Sequence, residues 1–156
     1  MDATIIYREA VPGDMEGVRL LIREYVASMG LDLSFQGLEE ELITLPGKYA
    51  RPQGALIVAE VDGALCGCVA MRKIGDGICE MKRLFVKDAY KGKGIGKELV
   101  RRIIEEGRVK GYRTMRLDTL STMKSALKLY RAFGFRETEA YVYNPIEGAV
   151  YLEKSL

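Results

Sequence analysis

Histidine does not occur anywhere in the 156 residues. Any proton donor or acceptor in a mechanism must therefore be a carboxylate, tyrosine, lysine, cysteine or water. Serine–histidine–aspartate and cysteine–histidine catalysis, and metal centres built on imidazole, are excluded with it. Cysteine is scarce too. Cys66, Cys68 and Cys79 form an odd set with no disulfide framework, which suits a reducing cytoplasm. Cys66 and Cys68 would share one face of a strand, and without histidine they are expected as small core residues, with no metal bound. No apolar run approaches the length of a membrane span, and the first residues carry no signal-peptide pattern. Charge of one sign is also missing: 24 Lys and Arg against 22 Asp and Glu leave a net charge of +2, which argues for neither nucleic acid nor membrane as a partner.

What is present fits one soluble domain over residues 1–156. Hydrophobic residues make up 48% and charged residues 29%, and the length allows a single well-buried core. Ile5, Ile6 and Tyr7 read as a first strand ending at Pro12-Gly13. Asp14 is placed to cap a helix whose stripe is Val18, Leu21, Ile22, Tyr25 and Val26, closed by Gly30. Leu38, Leu42 and Ile43 suggest a short second helix stopped by Pro46-Gly47. Residues 30–54 read equally as a mobile substrate-side element or a plain connector. The pattern then turns extended. Ala55 to Val61 and Ala64 to Arg72 flank the hairpin signal Asp62-Gly63, with Gly67 marking a bulge. Gly75-Asp76-Gly77 is a second turn, and Ile78 to Val86 a third strand of the meander. Farther on, Arg113 to Asp118 alternates as a strand, and Ser121 or Thr122 can cap a helix carrying Met123, Ala126, Leu127, Tyr130 and Phe133. Phe135 to Tyr143 and Ala149 to Glu153 are further strand-like pieces.

The most informative stretch follows Leu84-Phe85-Val86. Gly92, Gly94 and Gly96 alternate with Lys91, Lys93, Ile95 and Lys97, and an amphipathic helix carrying Leu99, Val100, Ile103 and Ile104 begins there and ends near Gly111. Glycines let backbone N–H groups converge, and the first turn of a helix adds unpaired donors and a positive dipole end. A phosphate or pyrophosphate is the natural guest. Two better-known phosphate loops do not fit. A dinucleotide fingerprint starting at Gly92 needs glycine where Lys97 stands, and a Walker A loop needs glycine at Lys91 and a hydroxyl at Glu98. A plain glycine-rich turn feeding a helix is the bland alternative.

Two segments together resemble a known superfamily. The run Tyr90-Lys91-Gly92-Lys93-Gly94-Ile95-Gly96-Lys97 after Leu-Phe-Val is similar to the acetyl-CoA signature of the GNAT N-acetyltransferases, with Lys91 in place of the usual Arg or Gln. Ser125-Ala126-Leu127-Lys128-Leu129-Tyr130-Arg131-Ala132-Phe133-Gly134-Phe135 resembles that superfamily's last helix and its Leu-Tyr-x-x-x-Gly-Phe ending. With their flanks these cover roughly residues 55 to 140. The resemblance implies an α/β fold of the α+β type, with a mixed central sheet of about six to seven strands flanked by about four helices. It implies acetyl-CoA as co-substrate and a small-molecule primary amine as acceptor. Homodimers are common in the superfamily, and the sequence does not test this.

Acetyl transfer from a thioester to an amine needs a base for the ammonium, a donor for the oxyanion and a proton source for the leaving thiolate. By the resemblance, Glu80 falls where some members carry a catalytic glutamate. On a two-residue period it shares a face with Lys82, Leu84 and Val86; a solvated charge, or a partner for Lys82 or Arg83, is the competing reading. Tyr130 matches the tyrosine that points at the CoA sulfur, against the alternative of a core tyrosine. Leu84, Phe85 and Val86 would pair with the pantetheine arm, the N–H of Phe85 or Val86 would meet the oxyanion, and Lys91 to Gly96 would cradle the pyrophosphate with Lys97 beside it. Many members carry an asparagine after the strand ending at Asp118. Here the residues are Thr119-Leu120-Ser121-Thr122, and Ser125 is a candidate substitute. Tyr141 and Tyr143 would line an acceptor pocket or fill the sheet face. The competing functions are a non-catalytic acyl-CoA-binding sensor and a generic nucleotide-phosphate binder.

Overall fold

The computed structural model describes residues 4–30, 32–34 and 37–156. Of the 30–54 connector, residues 31, 35 and 36 therefore lie outside the described residues. Among the described residues seven strands form one mixed sheet: β1 (Ile5–Glu9), β2 (Ala55–Val61), β3 (Ala64–Gly75), β4 (Ile78–Val86), β5 (Thr114–Leu120), β6 (Arg136–Glu137) and β7 (Ala149–Ser155), in the order β1-β2-β3-β4-β5-β7-β6. The first four make the antiparallel meander, β4 and β5 are parallel, and β7 inserts antiparallel between β5 and β6. Helices α1 (Met15–Met29) and α2 (Leu38–Thr44) bury their stripes on one face; α3 (Ile95–Val109) and α4 (Lys124–Ala132) cover the other. This is the mixed sheet with four helices expected from the sequence.

The local signals explain most boundaries. Asp62 (φ 52°) and Gly63 (φ 80°) both take left-handed backbone in the β2–β3 turn, which a two-residue hairpin of primed type requires. The buried side of α3 is Ile95, Leu99, Val100, Ile103 and Ile104, each worth about 1.5–3 kcal/mol of burial. Near its foot Gly107 packs closely: a Cβ there would stand 2.9 Å from Leu156 Cδ1 and displace that side-chain end. Gly111 (φ 85°) ends that helix, its N–H bonded to the Arg108 carbonyl and the next N–H, of Tyr112, to that of Gly107.

Several expectations need correction. Asp14 stands at the head of α1, but its carboxylate accepts from Arg8 and from the Val11 N–H instead of capping the helix. Neither Ser121 nor Thr122 caps α4, because Met123 is the residue before its first turn. Ile43 is 75% exposed, since the short α2 buries only Leu38 and Leu42. Of the strand foreseen over Phe135 to Tyr143, only Arg136–Glu137 pairs; residues 138–148 run as a loop across the sheet's end. Cys66 and Cys68 fall on opposite faces, Cys66 under α3 and Cys68 beneath α1, because β3 bulges there. Gly67 pairs with Ala59 and Leu65 with Glu60, so one extra residue reverses the alternation. All three cysteines are buried and unbridged, as small core residues should be.

Candidate active site

The site begins with two strands that part. β4 and β5 pair only at Ile78–Thr114, Cys79–Met115 and Glu80–Arg116. Beyond them a cleft opens between the second half of β4 and the end of β5, lined by Lys82, Leu84, Asp118, Thr119, Met123 and Tyr130. β4 also bulges. Cys68 pairs with Phe85 but Ala70 pairs with Lys82, so β4 holds one extra residue, and Arg83 sits at φ 60°. That backbone costs a non-glycine residue about 1–3 kcal/mol. A bidentate ion pair anchors it: Arg83 Nε and Nη2 each donate to Glu41 of α2 at 2.9 Å.

The bulge overturns one sequence reading. Glu80 and Lys82 do not share a face with Leu84 and Val86. After Arg83 the alternation inverts, putting Leu84 and Val86 with α3 and sending Phe85 to the α1 side, against Tyr25 with rings 5.7 Å apart. The bulge also settles which amide faces the cleft. Lys87 N–H bonds to the Cys66 carbonyl, so by antiparallel alternation Phe85 directs its amide at β3. Val86 then presents its N–H and carbonyl on the side β5 has left.

Glu80 is not a solvated charge. It is 0% exposed and its carboxylate gathers three groups: Arg72 Nε at 2.8 Å, the Tyr141 hydroxyl at 2.6 Å and Lys82 Nζ at 3.8 Å. Of the partners foreseen for it, Lys82 is present, while Arg83 is taken by Glu41. Tyr141 is held from the other side by Tyr151, with ring centroids 5.7 Å apart, and by the Arg116 guanidinium 5.6 Å above its ring. Burial, then the charge and hydrogen bond of Glu80, push its hydroxyl far above the ordinary tyrosine value. Lys82 is shifted down by burial, against the pull of Glu80 and Asp118.

Glu80 and Tyr130 occupy different compartments. Glu80 borders a second cavity of about 400 Å³ beneath α2, whose wall also includes Arg72, Lys48 and Tyr143. Tyr130 borders the strand cleft. Lys82 and Asp118 border both. Tyr130 is buried, packs edge-on to Phe135 at 5.9 Å, and has its hydroxyl raised above the usual value by burial, then by Tyr25 and Asp118.

At the head of α3, Gly92 (φ 82°) and Gly94 (φ 78°) both take left-handed backbone with nothing within 4 Å of a notional Cβ; conformation, not crowding, calls for glycine there. Gly94 is the residue before the helix, so Ile95, Gly96 and Lys97 form its first turn with Lys97 beside the open N–H groups. A Cβ on Gly96 would touch Leu129 and Val86 at ordinary contact distance. Lys91 turns its ammonium to Asp88 at 2.7 Å on the surface, and Lys93 is exposed. Ser125 is exposed on the first turn of α4 and borders neither cavity.

Three residues of the site escaped the sequence reading. Arg72 looked like the polar end of a strand, and Asp118 like one outward position of β5. Asn144 belongs to the loop 138–148: its Nδ2 donates to Asp118 Oδ2 at 3.0 Å, and its Oδ1 accepts from the Ile146 N–H. The cleft thus does contain an asparagine, delivered from a distant segment. The Asn144-Pro145 turn signal was the one available hint.

A mixed sheet split between parallel β4 and β5, with a glycine loop opening the helix after β4, defines the N-acetyltransferase class that the sequence resembles. The chain belongs to the acetyltransferase (GNAT) family, whose family model matches residues 21–135. It is similar to an N-acetyltransferase of Schizosaccharomyces pombe, 42% identical over 144 residues that cover 91% of this chain and 88% of that protein. It is 32% identical to the N-acetylaspartate synthetase of Homo sapiens over 132 residues, 83% of this chain but 43% of the human protein. Its fold matches the PaiA N-acetyltransferase of Thermoplasma acidophilum, solved with coenzyme A, at TM-score 0.78 and 19% identity over 98% of this chain and 99% of that one.

Proposed function

We propose that the chain transfers the acetyl group of acetyl-CoA directly to a primary amine of a small molecule. One observation carries the reading: a strand cleft containing Tyr130 and a charged cavity containing Glu80 meet at Lys82 and Asp118. A thioester arm in the first and an amine in the second would bring their reacting ends together at that junction. The name of the human relative, a synthetase of N-acetylaspartate, supports a small amine as acceptor. Buried, unbridged cysteines suit a cytoplasmic setting.

In this reading the diphosphate of the cofactor lies against residues 91–97, where the turned Gly92 and Gly94 and the first turn of α3 offer N–H groups. Lys91, Lys93 and Lys97 supply charge, and Ser125 is at most a peripheral contact. Leu84 and Val86 flank the pantetheine arm, with Phe85 fixing the strand from behind. The Val86 N–H meets the oxyanion as the amine attacks the thioester carbon. Glu80 takes the proton that the ammonium loses. Each carboxylate oxygen accepts from more than one direction, so Arg72 and Tyr141 leave it capacity for that proton. Tyr130, which burial keeps protonated, offers its O–H to the thiolate as the C–S bond breaks.

The test is release of free CoA from acetyl-CoA across a panel of amines, with calorimetric binding of CoA, ATP and NAD alongside. Turnover with any small amine is the expected result. CoA binding without turnover on any amine would leave an acyl-CoA sensor; equal affinity for ATP or NAD would leave a generic phosphate binder.

A further inference from the structure

The acceptor cavity distinguishes among amines, an inference that rests on the acetyl-transfer reading. It brings cations and anions together, and most are already paired. Glu41 is held by Arg83 in two hydrogen bonds, and Glu80 by Arg72 and Tyr141. Asp118 accepts one hydrogen bond from Asn144 at the junction with the strand cleft. Arg72 keeps unused capacity among the described residues. Its Nε donates to buried Glu80, while its terminal nitrogens bond to no described residue and its side chain remains 24% exposed on the cavity wall.

A guanidinium tied at Nε to a buried carboxylate cannot swing away, and its remaining N–H groups form a fixed fork. That fork matches a carboxylate in two parallel hydrogen bonds. Lys48 borders the same cavity and adds a further positive charge. Asp118, at the junction with the strand cleft, suits an ammonium group. We propose that the acceptor is an amino acid or another small amine that also bears a carboxylate. Its carboxylate is received by Arg72 and its ammonium is directed toward Asp118 at the strand cleft.

The experiment pairs each amine carboxylate with its carboxamide: the common L-amino acids against their amides, and β-alanine against β-alaninamide. CoA release is followed for the wild type, Arg72→Lys and Arg72→Met. A preference of at least about tenfold in kcat/KM for the carboxylate is expected, with KM for it raised about 10- to 100-fold in both variants. Arg72→Lys retains a charge beside Glu80 but lacks the fork, so it answers even if Arg72→Met folds poorly. A binding arm needs no turnover: N-acetyl-β-alanine and its amide are titrated into the CoA-loaded protein. Carboxamides that react or bind as well as carboxylates overturn the proposal while leaving acetyl transfer standing. Absence of turnover with every amine sinks the transferase reading, and the binding arm still decides the carboxylate site: Arg72-dependent retention of N-acetyl-β-alanine upholds it, and equal binding by both variants overturns it.

Discussion

Replacing Glu80 by Gln tests the proposed chemistry at its narrowest point. The amide keeps the shape of the carboxyl but cannot take the proton of an ammonium ion. General-base catalysis contributes about 10²–10⁴-fold, so kcat/KM should fall by that factor, with KM for acetyl-CoA unchanged. Stability should fall as well, for a separate reason. Arg72 and Lys82, with side chains 24% and 10% exposed, lose their shared anion, and one amide oxygen must serve where two carboxylate oxygens had accepted from Arg72 and Tyr141. Breaking a fully buried ion pair costs about 3–5 kcal/mol. Partial access of Arg72 to water reduces this to about 2–3 kcal/mol, a drop in Tm of roughly 5–10 °C for a domain of this size. The assays are CoA release at saturating acceptor, calorimetry with CoA, and thermal melting. A variant that melts early yet binds CoA normally and turns over within about threefold of wild type would show that Glu80 is a structural charge, and the proposed base would be wrong.

Tyr130→Phe removes a hydroxyl that faces the strand cleft and keeps the ring on Phe135; kcat should drop about 10- to 100-fold while CoA affinity and Tm hold, and an unchanged kcat would remove Tyr130 from the chemistry. Gly94→Ala places a side chain on left-handed backbone at φ 78°, which costs about 1–2 kcal/mol. Since the proposed cradle depends on that backbone, Kd for CoA measured by calorimetry should rise about 5- to 30-fold with kcat at saturation nearly intact; unchanged affinity would move the diphosphate elsewhere. Glu98 tests the electrostatics of α3: hydrogen bonds from Arg101, then from Arg102, bring its carboxyl down to about 2. A lowered folded-state value adds stability above the unfolded value near 4.5 and loses it as pH falls toward 2. Glu98→Gln should therefore be less stable by ~0.5–1 kcal/mol at pH 7, with the difference shrinking as pH falls from 4.5 through 2, and a constant difference across that range would refute the assignment.

The elements with local causes were legible in the sequence. The hairpin at Asp62-Gly63, the 78–86 strand and the glycine loop each depend on residues adjacent along the chain, and each lies where periodicity and turn chemistry put it. The failures share a different cause. A strand's two faces follow from alternation only while the ladder is regular, and two bulges interrupt it, one in β3 near Gly67 and one in β4 at Arg83. The first was foreshadowed by a glycine. The second had no such marker, because an arginine rarely adopts φ 60° and does so here under a contact with Glu41, 42 residues away. Asn144 as a site residue, and the bond of Tyr141 to Glu80, were illegible for the same reason: the partners Asp118 and Glu80 are 26 and 61 positions distant.

The Arg83 bulge also explains why Glu80 and the Leu84–Val86 segment face separate compartments. Without the extra residue, even positions of β4 would all face one way, and Glu80, Lys82, Leu84 and Val86 would compete for one surface. With it, Glu80 and Lys82 remain on the α2 side, among charges, while Leu84 and Val86 turn to the α3 side, among apolar groups. The first setting places the proposed base between the cations Arg72 and Lys82. In the proposed reading, the second gives the thioester arm an apolar bed beside the Val86 N–H. Opposite requirements of solvation are thus met within seven residues of one strand, at the cost of one strained backbone conformation held by Glu41.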